Sequence, residues 1–160
     1  MMAAPDTALP IRATPYRHQI EAYEYACGLF GLLSGPMESG GCALLMEMGT
    51  GKTITSIAIT GALLQAGRIR RVLVVAPFTI LGVWEEEFQK FAAFPYALAV
   101  LEGTAAKKLD TLRHMTGAVL QVAVVNYESM WRMEKDLAAW RPDLIIADEG
   151  HKIKTHNIAA

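Results

Sequence analysis

The sequence predicts an α/β fold with a mainly parallel sheet, and three observations predict it. Short apolar, β-branched runs alternate with segments of helical periodicity along most of the 160 residues. A glycine-rich turn at residues 44–53 joins one apolar run directly to a helical segment. A later apolar run, residues 144–147, ends on two adjacent carboxylates, Asp148 and Glu149. Because parallel strands end at one edge of a sheet, we expect both features to face a common crevice.

The composition fits one folded domain without a global preference for polyanions. Hydrophobic residues make up 52% of the chain, and the 15 basic and 16 acidic side chains give a net charge of -1. Any nucleic-acid contact therefore has to be local. Cys27 and Cys42 lie in apolar surroundings without metal-ligand spacing, which favours buried thiols in a reducing compartment. No signal peptide or membrane span is indicated, so we expect an intracellular protein, cytoplasmic or nucleoid, or nuclear in a eukaryote.

The first elements lead to the glycine-rich turn. Residues 1–13 are expected to be flexible and residues 14–160 to form the domain. Thr14-Pro15 is a helix-start signal, after which apolar residues recur at spacings of three and four as far as Phe30. A glycine-containing loop then leads to the first strand, residues 42–46.

After the turn, strands and helices are predicted to alternate. A helix over residues 52–66 ends at Gly67, and a buried strand follows at residues 72–76, which together predict a right-handed parallel crossover. The next helix runs from Thr79 until Pro95 interrupts it; it is expected to bury Val83, Trp84, Phe88 and Phe91. The remaining predicted strands are 97–101, 119–125 and 144–147, and the remaining helices are 104–116 and 129–140.

The glycine-rich turn, LLMEMGTGKT, has the chemistry of a phosphate-binding loop. Its glycines let consecutive backbone N–H groups and the start of the next helix face an anion. Lys52 supplies a charge for the β and γ phosphates, and the Thr53 hydroxyl is placed to bind Mg²⁺. The general pattern places a glycine six residues before the lysine, where this chain has Met46. A helix-capping turn that binds nothing is therefore the alternative.

The acidic pair has the chemistry that complements this loop. Asp148 can hold Mg²⁺ directly or through water, while Glu149 can accept a proton from the water that attacks the γ phosphate. His151 is placed to couple this acidic loop to neighbouring elements, and a solvated acidic turn is the alternative interpretation. We expect Lys52 with Thr53, and the two acids, to converge on one magnesium ion and one triphosphate.

In order and spacing, these segments resemble the motifs of superfamily-two helicases, and closely those of the Swi/Snf-type DNA translocases. Residues 148–154, DEGHKIK, resemble motif II, and residues 47–53, EMGTGKT, resemble motif I, which also lacks the outer glycine. Thr155 departs from the asparagine often found after a sequence of the Lys-Ile-Lys type. Ala76-Pro77, followed by Trp84, Glu87, Phe88 and Phe91, resembles the motif Ia region of that family. Residues 124–128 resemble its segment in which a Tyr-Glu pair ends a strand, and residues 15–19 resemble its Q motif.

The resemblance implies an N-terminal RecA-like lobe, a P-loop three-layer sandwich with a mainly parallel sheet, and ATP and Mg²⁺ as cofactors. Gln19 is implied to read the adenine edge, for which an amide offers one donor and one acceptor; an exposed polar residue on a helix is the alternative. The implied roles are nucleotide binding by Met48, Gly49, Thr50, Gly51, Lys52 and Thr53, Mg²⁺ binding by Thr53 and Asp148, catalysis by Glu149, Asp148 and Lys52, and coupling by His151.

The resemblance also implies an ATP hydrolase of the helicase/translocase family that moves along double-stranded DNA when joined to a second RecA-like lobe, in the same or another chain. DNA phosphates are expected to be contacted near Pro77, Thr79, Asn126 and Tyr127, without reading of sequence. Lys107, Lys108 and Arg113 form either a basic patch or, more simply, a solvated helix face.

The sequence ends at Ala160, soon after motif II, and holds no motif III strand and no second-lobe arginines. We therefore expect an incomplete lobe that binds ATP with little turnover in isolation. It is expected to be either a fragment of a longer polypeptide or a lobe whose missing strand is supplied from elsewhere. A restriction-type motor subunit, an RNA helicase lobe and a nucleotide-binding switch module without productive hydrolysis stay open as alternatives. A small-molecule kinase would need a basic lid and an acceptor pocket that the sequence does not indicate.

Overall fold

The computed structural model describes residues 9–33, 35–41 and 52–148. Its helices are α1 (Arg17–Leu29), α2 (Lys52–Gln65), α3 (Leu81–Phe91), α4 (Ala105–Arg113), α5 (Tyr127–Arg132) and α6 (Glu134–Trp140). Its strands are β1 (Arg71–Ala76), β2 (Tyr96–Val100), β3 (Leu120–Asn126) and β4 (Leu144–Ala147), and a 3-10 helix, Phe78–Ile80, precedes α3. None of the described helices has the length and apolarity that crossing a bilayer requires. The predicted strand at 42–46 lies outside the described residues.

The four described strands form an all-parallel sheet in the order β2-β3-β1-β4. In register, Val74 of β1 pairs with Val124 of β3 on one side and Ile146 of β4 on the other. Nearly every residue of β1 and β3 is buried, as expected for central strands of a parallel sheet that is covered on both faces. The predicted α/β class with a mainly parallel sheet is confirmed.

Strand β4 is an edge of the described sheet and keeps apolar surface exposed. Among the described strands it pairs with β1 alone, and its residues alternate between half-buried and exposed, with Ile145 59% exposed. Natural sheets usually cover or charge such an edge, because its free backbone groups accept another strand. The outer side of β4 is therefore suited to a further strand.

The chain divides into two compact units. The first comprises Met1–Arg68 and Glu86–Pro95, and the second comprises Ile69–Glu85 and Tyr96–Ala160. The whole described sheet belongs to the second unit, where side chains of β1 and β3 form one core with residues from the segments around α4, α5 and α6. This core consists of Leu73, Val75, Leu101, Leu112, Met115, Ala123, Val125, Tyr127, Met133, Leu137 and Trp140.

The first unit contains α1 and α2, which pack against each other. On α2, Ile57 and Ala58 are fully buried. The helix ends where the sequence indicates: Gly67 has a φ of 72°, and the N–H of Arg68 donates to the Leu63 carbonyl at 3.0 Å. This is the left-handed glycine cap that satisfies the last carbonyls of a helix.

The start of α1 differs from the prediction. The helix begins at Arg17 with Tyr16 at the N-cap position, so Thr14-Pro15 lies before it. The side-chain oxygen of Gln19 accepts the Tyr16 backbone N–H at 2.8 Å, which satisfies a donor at the helix start. The amide side chain of Gln19, three residues after the N-cap, therefore decided the helix start, and the threonine did not.

Helix α3 is shorter than predicted and buries a narrower face. Trp84 and Phe88 are 2% and 0% exposed, as expected, but Val83 is 44% exposed, so its predicted burial is wrong. The helix ends at Phe91, well before Pro95, because the next residue, Ala92, forms an antiparallel bridge with Ile11. A tertiary backbone contact thus replaced the last predicted turn.

The single helix predicted over residues 129–140 is two helices, α5 and α6, that meet at Met133 with φ -105° and ψ 20°. Strand β3 also runs one residue further than predicted, to Asn126, whose side chain caps α5 by accepting the Ser129 N–H at 2.7 Å. Tyr127 and Glu128 therefore begin a helix, and the expectation that this pair ends a strand is wrong.

Cys27 is a free thiol, 1% exposed, as the sequence predicts, while Cys42 lies outside the described residues. Burial raises the pKa of the Cys27 thiol from 9.0 to about 11, against a smaller opposing effect of its hydrogen bond with Tyr23. Burial, followed by the nearby Cys27, raises the pKa of Tyr23 as well. Both side chains therefore stay protonated in the folded protein at pH values where the unfolded chain ionises.

Stability is expected to fall as the pH rises from about 9 to about 11, because the unfolded state releases the Cys27 proton first. Below pH 9.0 both the folded and the unfolded state keep that proton, so the contribution of Cys27 to the free energy of unfolding is fully present. Urea unfolding at stepped pH should give wild type a loss of roughly 2 kcal/mol more than Cys27→Ala across this window. Equal losses in the two proteins would contradict the assignment, and Tyr23→Phe separates the tyrosine's share.

Candidate functional site

Three strands of the second unit deliver their carboxyl ends to one edge of the sheet. Strand β1 leads into Pro77 and the 3-10 helix, β3 leads through Asn126 into α5, and β4 leads into Asp148. Since ligands of parallel α/β sheets bind outside this edge, the residues that follow β1, β3 and β4 form the candidate site of this unit.

Asp148 forms hydrogen bonds with three described residues, Val75, Trp84 and Tyr127. Its backbone N–H donates to the Val75 carbonyl at 2.8 Å, which continues the register of β4 against β1. The indole N–H of Trp84 donates to the carboxylate oxygen Oδ2 at 2.9 Å. The hydroxyl of Tyr127 donates to the Asp148 backbone carbonyl at 2.5 Å. The carboxylate is thus pre-oriented at the end of β4 through its oxygen Oδ2.

The polar role of Trp84 was not found from the sequence, which indicated only a buried side chain. A buried indole usually requires an acceptor for its N–H group, and that requirement was the available signal. The acceptor, however, lies 64 residues away in the chain. No local spacing could have identified Asp148 as the partner.

The four residues predicted to contact nucleic acid line one groove of about 810 Å³. Pro77 and Thr79 come from the segment after β1, and Asn126 and Tyr127 from the junction of β3 and α5. The other lining residues, which sequence reasoning did not name, are Phe78, Glu128, Trp131 and Arg132. The structure therefore brings this predicted set together, and the role of the groove stays a prediction.

The groove combines apolar walls with a few polar groups. The ring of Phe78 is 71% exposed. Arg132 forms an ion pair with Glu128 at 2.6 Å, and both side chains are largely exposed. Such a pair contributes little, so a phosphate can compete for the guanidinium. The side-chain oxygen Oδ1 of Asn126 caps α5 by accepting the Ser129 N–H, so the NH₂ group of the same amide is the donor that Asn126 offers a ligand.

The predicted nucleotide-binding residues are only partly described. Lys52 and Thr53 are the first two residues of α2 and are half-buried, which places them at a helix N-terminus in the first unit. Asp148 belongs to the second unit. The other predicted residues of these two motifs, Met48, Gly49, Thr50, Gly51, Glu149 and His151, lie outside the described residues. The convergence of the two motifs on one magnesium ion stays a prediction.

Gln19 lies in the first turn of α1 and is 3% exposed, so the alternative that it is an exposed polar residue is wrong. Its side-chain oxygen accepts the N–H of Tyr16, which leaves adenine recognition by this amide a prediction. In the proposed basic patch, Lys107 and Arg113 are exposed, and Lys108 donates to the Ser129 hydroxyl at 2.6 Å. That contact ties Lys108 to α5, so it is not simply part of a solvated face.

Comparison with known proteins identifies relatives of this chain. The family profile described as the SNF2-related domain matches residues 18–160. The chain is 31% identical over 147 residues to the protein named CHROMATIN REMODELING 25 of Arabidopsis thaliana, and the match covers 86% of this chain and 16% of that protein. It is 33% identical over 151 residues to the DNA repair and recombination protein RAD54 of Oryza sativa subsp. japonica, covering 86% and 15%. The chain thus spans about a sixth of the length of these relatives.

A solved structure has the same fold. The Sulfolobus solfataricus SWI2/SNF2 ATPase core, determined in complex with double-stranded DNA, superposes with a TM-score of 0.71 at 24% identity. The match covers 91% of this chain and 28% of that one. The described α/β architecture is that of a RecA-like lobe, as the sequence predicts.

Proposed function

The chain belongs to the SNF2-related domain family, and from that premise we propose that it is the ATP-binding lobe of an ATP-dependent DNA translocase. In this proposal it binds and hydrolyses ATP with Mg²⁺ and moves along double-stranded DNA when joined to a second RecA-like lobe. The protein acts inside the cell, where DNA and ATP are both available.

One observation carries the proposal: Asp148 lies at the same edge of the sheet as the groove that contains all four predicted nucleic-acid residues. A pre-oriented carboxylate beside such a groove suits an enzyme in which nucleotide chemistry responds to a bound polymer. The Trp84 indole holds one oxygen of that carboxylate, and the Val75 carbonyl holds the Asp148 backbone N–H.

The donor set suits magnesium. Mg²⁺ prefers hard oxygen ligands and is usually bound by one or two protein groups together with phosphates and water. The hydroxyl of Thr53 and the carboxylate of Asp148 would be those groups. The bound ion would neutralise charge on the β and γ phosphates during hydrolysis.

The protein residues would divide the remaining work. Residues 48–53 would hold the phosphates through backbone N–H groups, with Lys52 adding charge, and Gln19 would read adenine. Glu149 would orient the attacking water and take its proton, and His151 would couple the acidic loop to its neighbours. These roles follow the motif resemblance, and the relatives' family supports them.

DNA would be bound through its phosphates. The groove offers the Thr79 hydroxyl, the Asn126 amide and the Arg132 guanidinium, which would donate hydrogen bonds to phosphate oxygens, contacts that do not read the base sequence. The DNA-bound solved neighbour and the DNA-repair relative support this choice of polymer.

The proposal is tested with the polypeptide that carries this chain, by titrating a fluorescent ATP analogue with Mg²⁺ and a labelled DNA duplex. ATP hydrolysis is also measured with and without duplex DNA or RNA. Lys52→Ala is expected to weaken nucleotide binding at least about tenfold, through loss of a phosphate contact. Lys135→Ala, which removes an exposed lysine of α6, is the matched control and should change nothing. Duplex affinity should fall with salt at a slope that reports a few phosphate contacts.

Several outcomes would contradict the proposal. If wild type binds no nucleotide, or Lys52→Ala binds as well as wild type, the phosphate-loop assignment is wrong. If RNA stimulates hydrolysis and duplex DNA does not, the lobe belongs to an RNA helicase. If nucleotide binds but no nucleic acid stimulates hydrolysis, the nucleotide-binding switch replaces the motor.

A further inference from the structure

We propose that Tyr127 couples occupancy of the groove to the geometry of the magnesium ligand Asp148, and that Trp84 is the positioning residue for its carboxylate. The inference rests on the proposed function and adds to it the physical connection between the two binding sites. Nothing in the sequence motifs required that one side chain belong to both.

Tyr127 belongs to the groove and to the acidic site at once. It lines the groove as the first residue of α5, and its hydroxyl donates to the Asp148 backbone carbonyl at 2.5 Å. The side chain is only 6% exposed and packs in the core of the second unit, so its ring has little freedom to move alone. A ligand that displaces the start of α5 therefore displaces the hydroxyl, and the hydroxyl displaces that carbonyl.

The backbone carbonyl of Asp148 is well placed to transmit a movement of the Tyr127 hydroxyl. It belongs to the peptide group that joins Asp148 to Glu149, and a peptide group moves as a rigid plane. Rotation of that plane reorients the backbone of the proposed magnesium ligand. Tyr127 thus contacts the backbone of Asp148 directly.

Trp84 restricts how Asp148 can respond. Its indole N–H holds Oδ2 at 2.9 Å, while the Val75 carbonyl holds the Asp148 N–H at 2.8 Å. Because the oxygen Oδ2 and the backbone N–H are both held, Asp148 cannot follow a movement of its carbonyl as a whole. The movement instead rotates the carboxylate slightly about its held oxygen. Partners of this kind orient metal ligands, and their loss typically weakens metal binding about 10-fold to about 100-fold.

The test measures coupling directly as a binding ratio in the polypeptide that carries this chain. Mn²⁺ replaces Mg²⁺ as an electron paramagnetic resonance probe, together with a non-hydrolysable ATP analogue. Its affinity is measured with and without a blunt DNA duplex, and the ratio of the two affinities is the coupling. Reciprocity requires the same ratio when duplex affinity is measured with and without the metal and nucleotide.

Two conservative variants separate the two roles. Tyr127→Phe keeps the ring in the groove and removes only the hydroxyl, and Trp84→Phe keeps an aromatic side chain and removes the indole N–H. Tyr25→Phe, at an exposed position of α1, is the control for the first variant. Trp140→Phe controls for the loss of an indole in the second; it lies in the core of the same unit, beside Arg71 at the amino end of β1.

Wild type is expected to show a ratio between about 5-fold and about 150-fold, the usual range for coupled sites. Tyr127→Phe should bring the ratio close to one, because the hydroxyl that joins the groove to the Asp148 carbonyl is lost. Trp84→Phe should lower Mn²⁺ affinity about tenfold both with and without DNA. Both control variants should keep the wild-type ratio and the wild-type Mn²⁺ affinity.

A wild-type ratio that survives Tyr127→Phe would overturn the coupling role, and unchanged Mn²⁺ affinity in Trp84→Phe would overturn the positioning role. A Trp140→Phe protein that loses as much Mn²⁺ affinity as Trp84→Phe would reduce the Trp84 effect to general destabilisation and also overturn it. Failure of the proposed function is distinct, since wild type would then bind no metal–nucleotide or no duplex.

Discussion

Glu149→Gln is expected to lower the DNA-stimulated ATPase rate of the polypeptide that carries this chain by about 100-fold to about 10,000-fold, the usual contribution of a general base. The amide keeps the shape of the carboxyl group but cannot accept the proton of the attacking water. ATP and duplex DNA should bind as they do in wild type, because neither contact is assigned to this side chain. Steady-state hydrolysis and equilibrium binding of a fluorescent ATP analogue measure the two effects separately.

The matched control is Glu86→Gln, at an exposed position of α3 where the same chemical change should alter neither rate nor binding. If Glu149→Gln changes no activity at all, the protein is a nucleotide-binding switch, and the assignment of a base is wrong. If ATP binding is lost together with hydrolysis, Glu149 acts in ligand binding or folding, which also contradicts the proposed role.

Phe88→Ala is expected to lower the free energy of unfolding by about 3 to about 5 kcal/mol, the range for emptying a buried phenylalanine site. Phe88 is 0% exposed, and its ring meets that of Phe94 edge-on, with centroids 6.4 Å apart and an interplanar angle of 89°. A typical domain has about 5 to about 15 kcal/mol in total, so the variant should be marginal at 37 °C. Urea unfolding followed by circular dichroism measures the difference.

Two comparison variants show where the effect arises. Val83→Ala removes side-chain volume from the same helix at a position that is 44% exposed, and it should cost less than about 1 kcal/mol. Phe88→Leu keeps most of the volume but loses the edge-on ring contact, so its cost should lie between the other two. Equal losses for Phe88→Ala and Val83→Ala would contradict the burial of Phe88 in this fold.

Much of the secondary structure could be predicted because its causes are local. Gly67 ends α2 since a left-handed residue is needed there, and the β-branched runs form β1 and β3 since a buried parallel strand favours such side chains. Helical spacing also indicated the burial of Trp84 and Phe88. It failed at Val83, because spacing gives the apolar face of a helix without giving the width of the surface that covers it.

The errors in the predicted ends of helices and strands share one kind of cause. Gln19 reached back to satisfy Tyr16 and moved the start of α1, and Asn126 capped α5 and began a helix where a strand was expected to end. Ala92, predicted to lie in the last turn of α3, instead forms an antiparallel bridge with Ile11, which is far away in the chain. In each case a hydrogen bond that the spacing of apolar residues does not indicate satisfied a backbone group and fixed the end of the helix or strand.

The sequence by itself determined the fold class, the order of the described strands along the chain and the family motifs, because spacing and side-chain chemistry act over a few residues. Only the tertiary structure decided that Trp84 and Tyr127, at 64 and 21 residues from Asp148, hold that one residue. The reason is that parallel strands bring distant segments to one edge, and which side chains meet there depends on packing that no local pattern records.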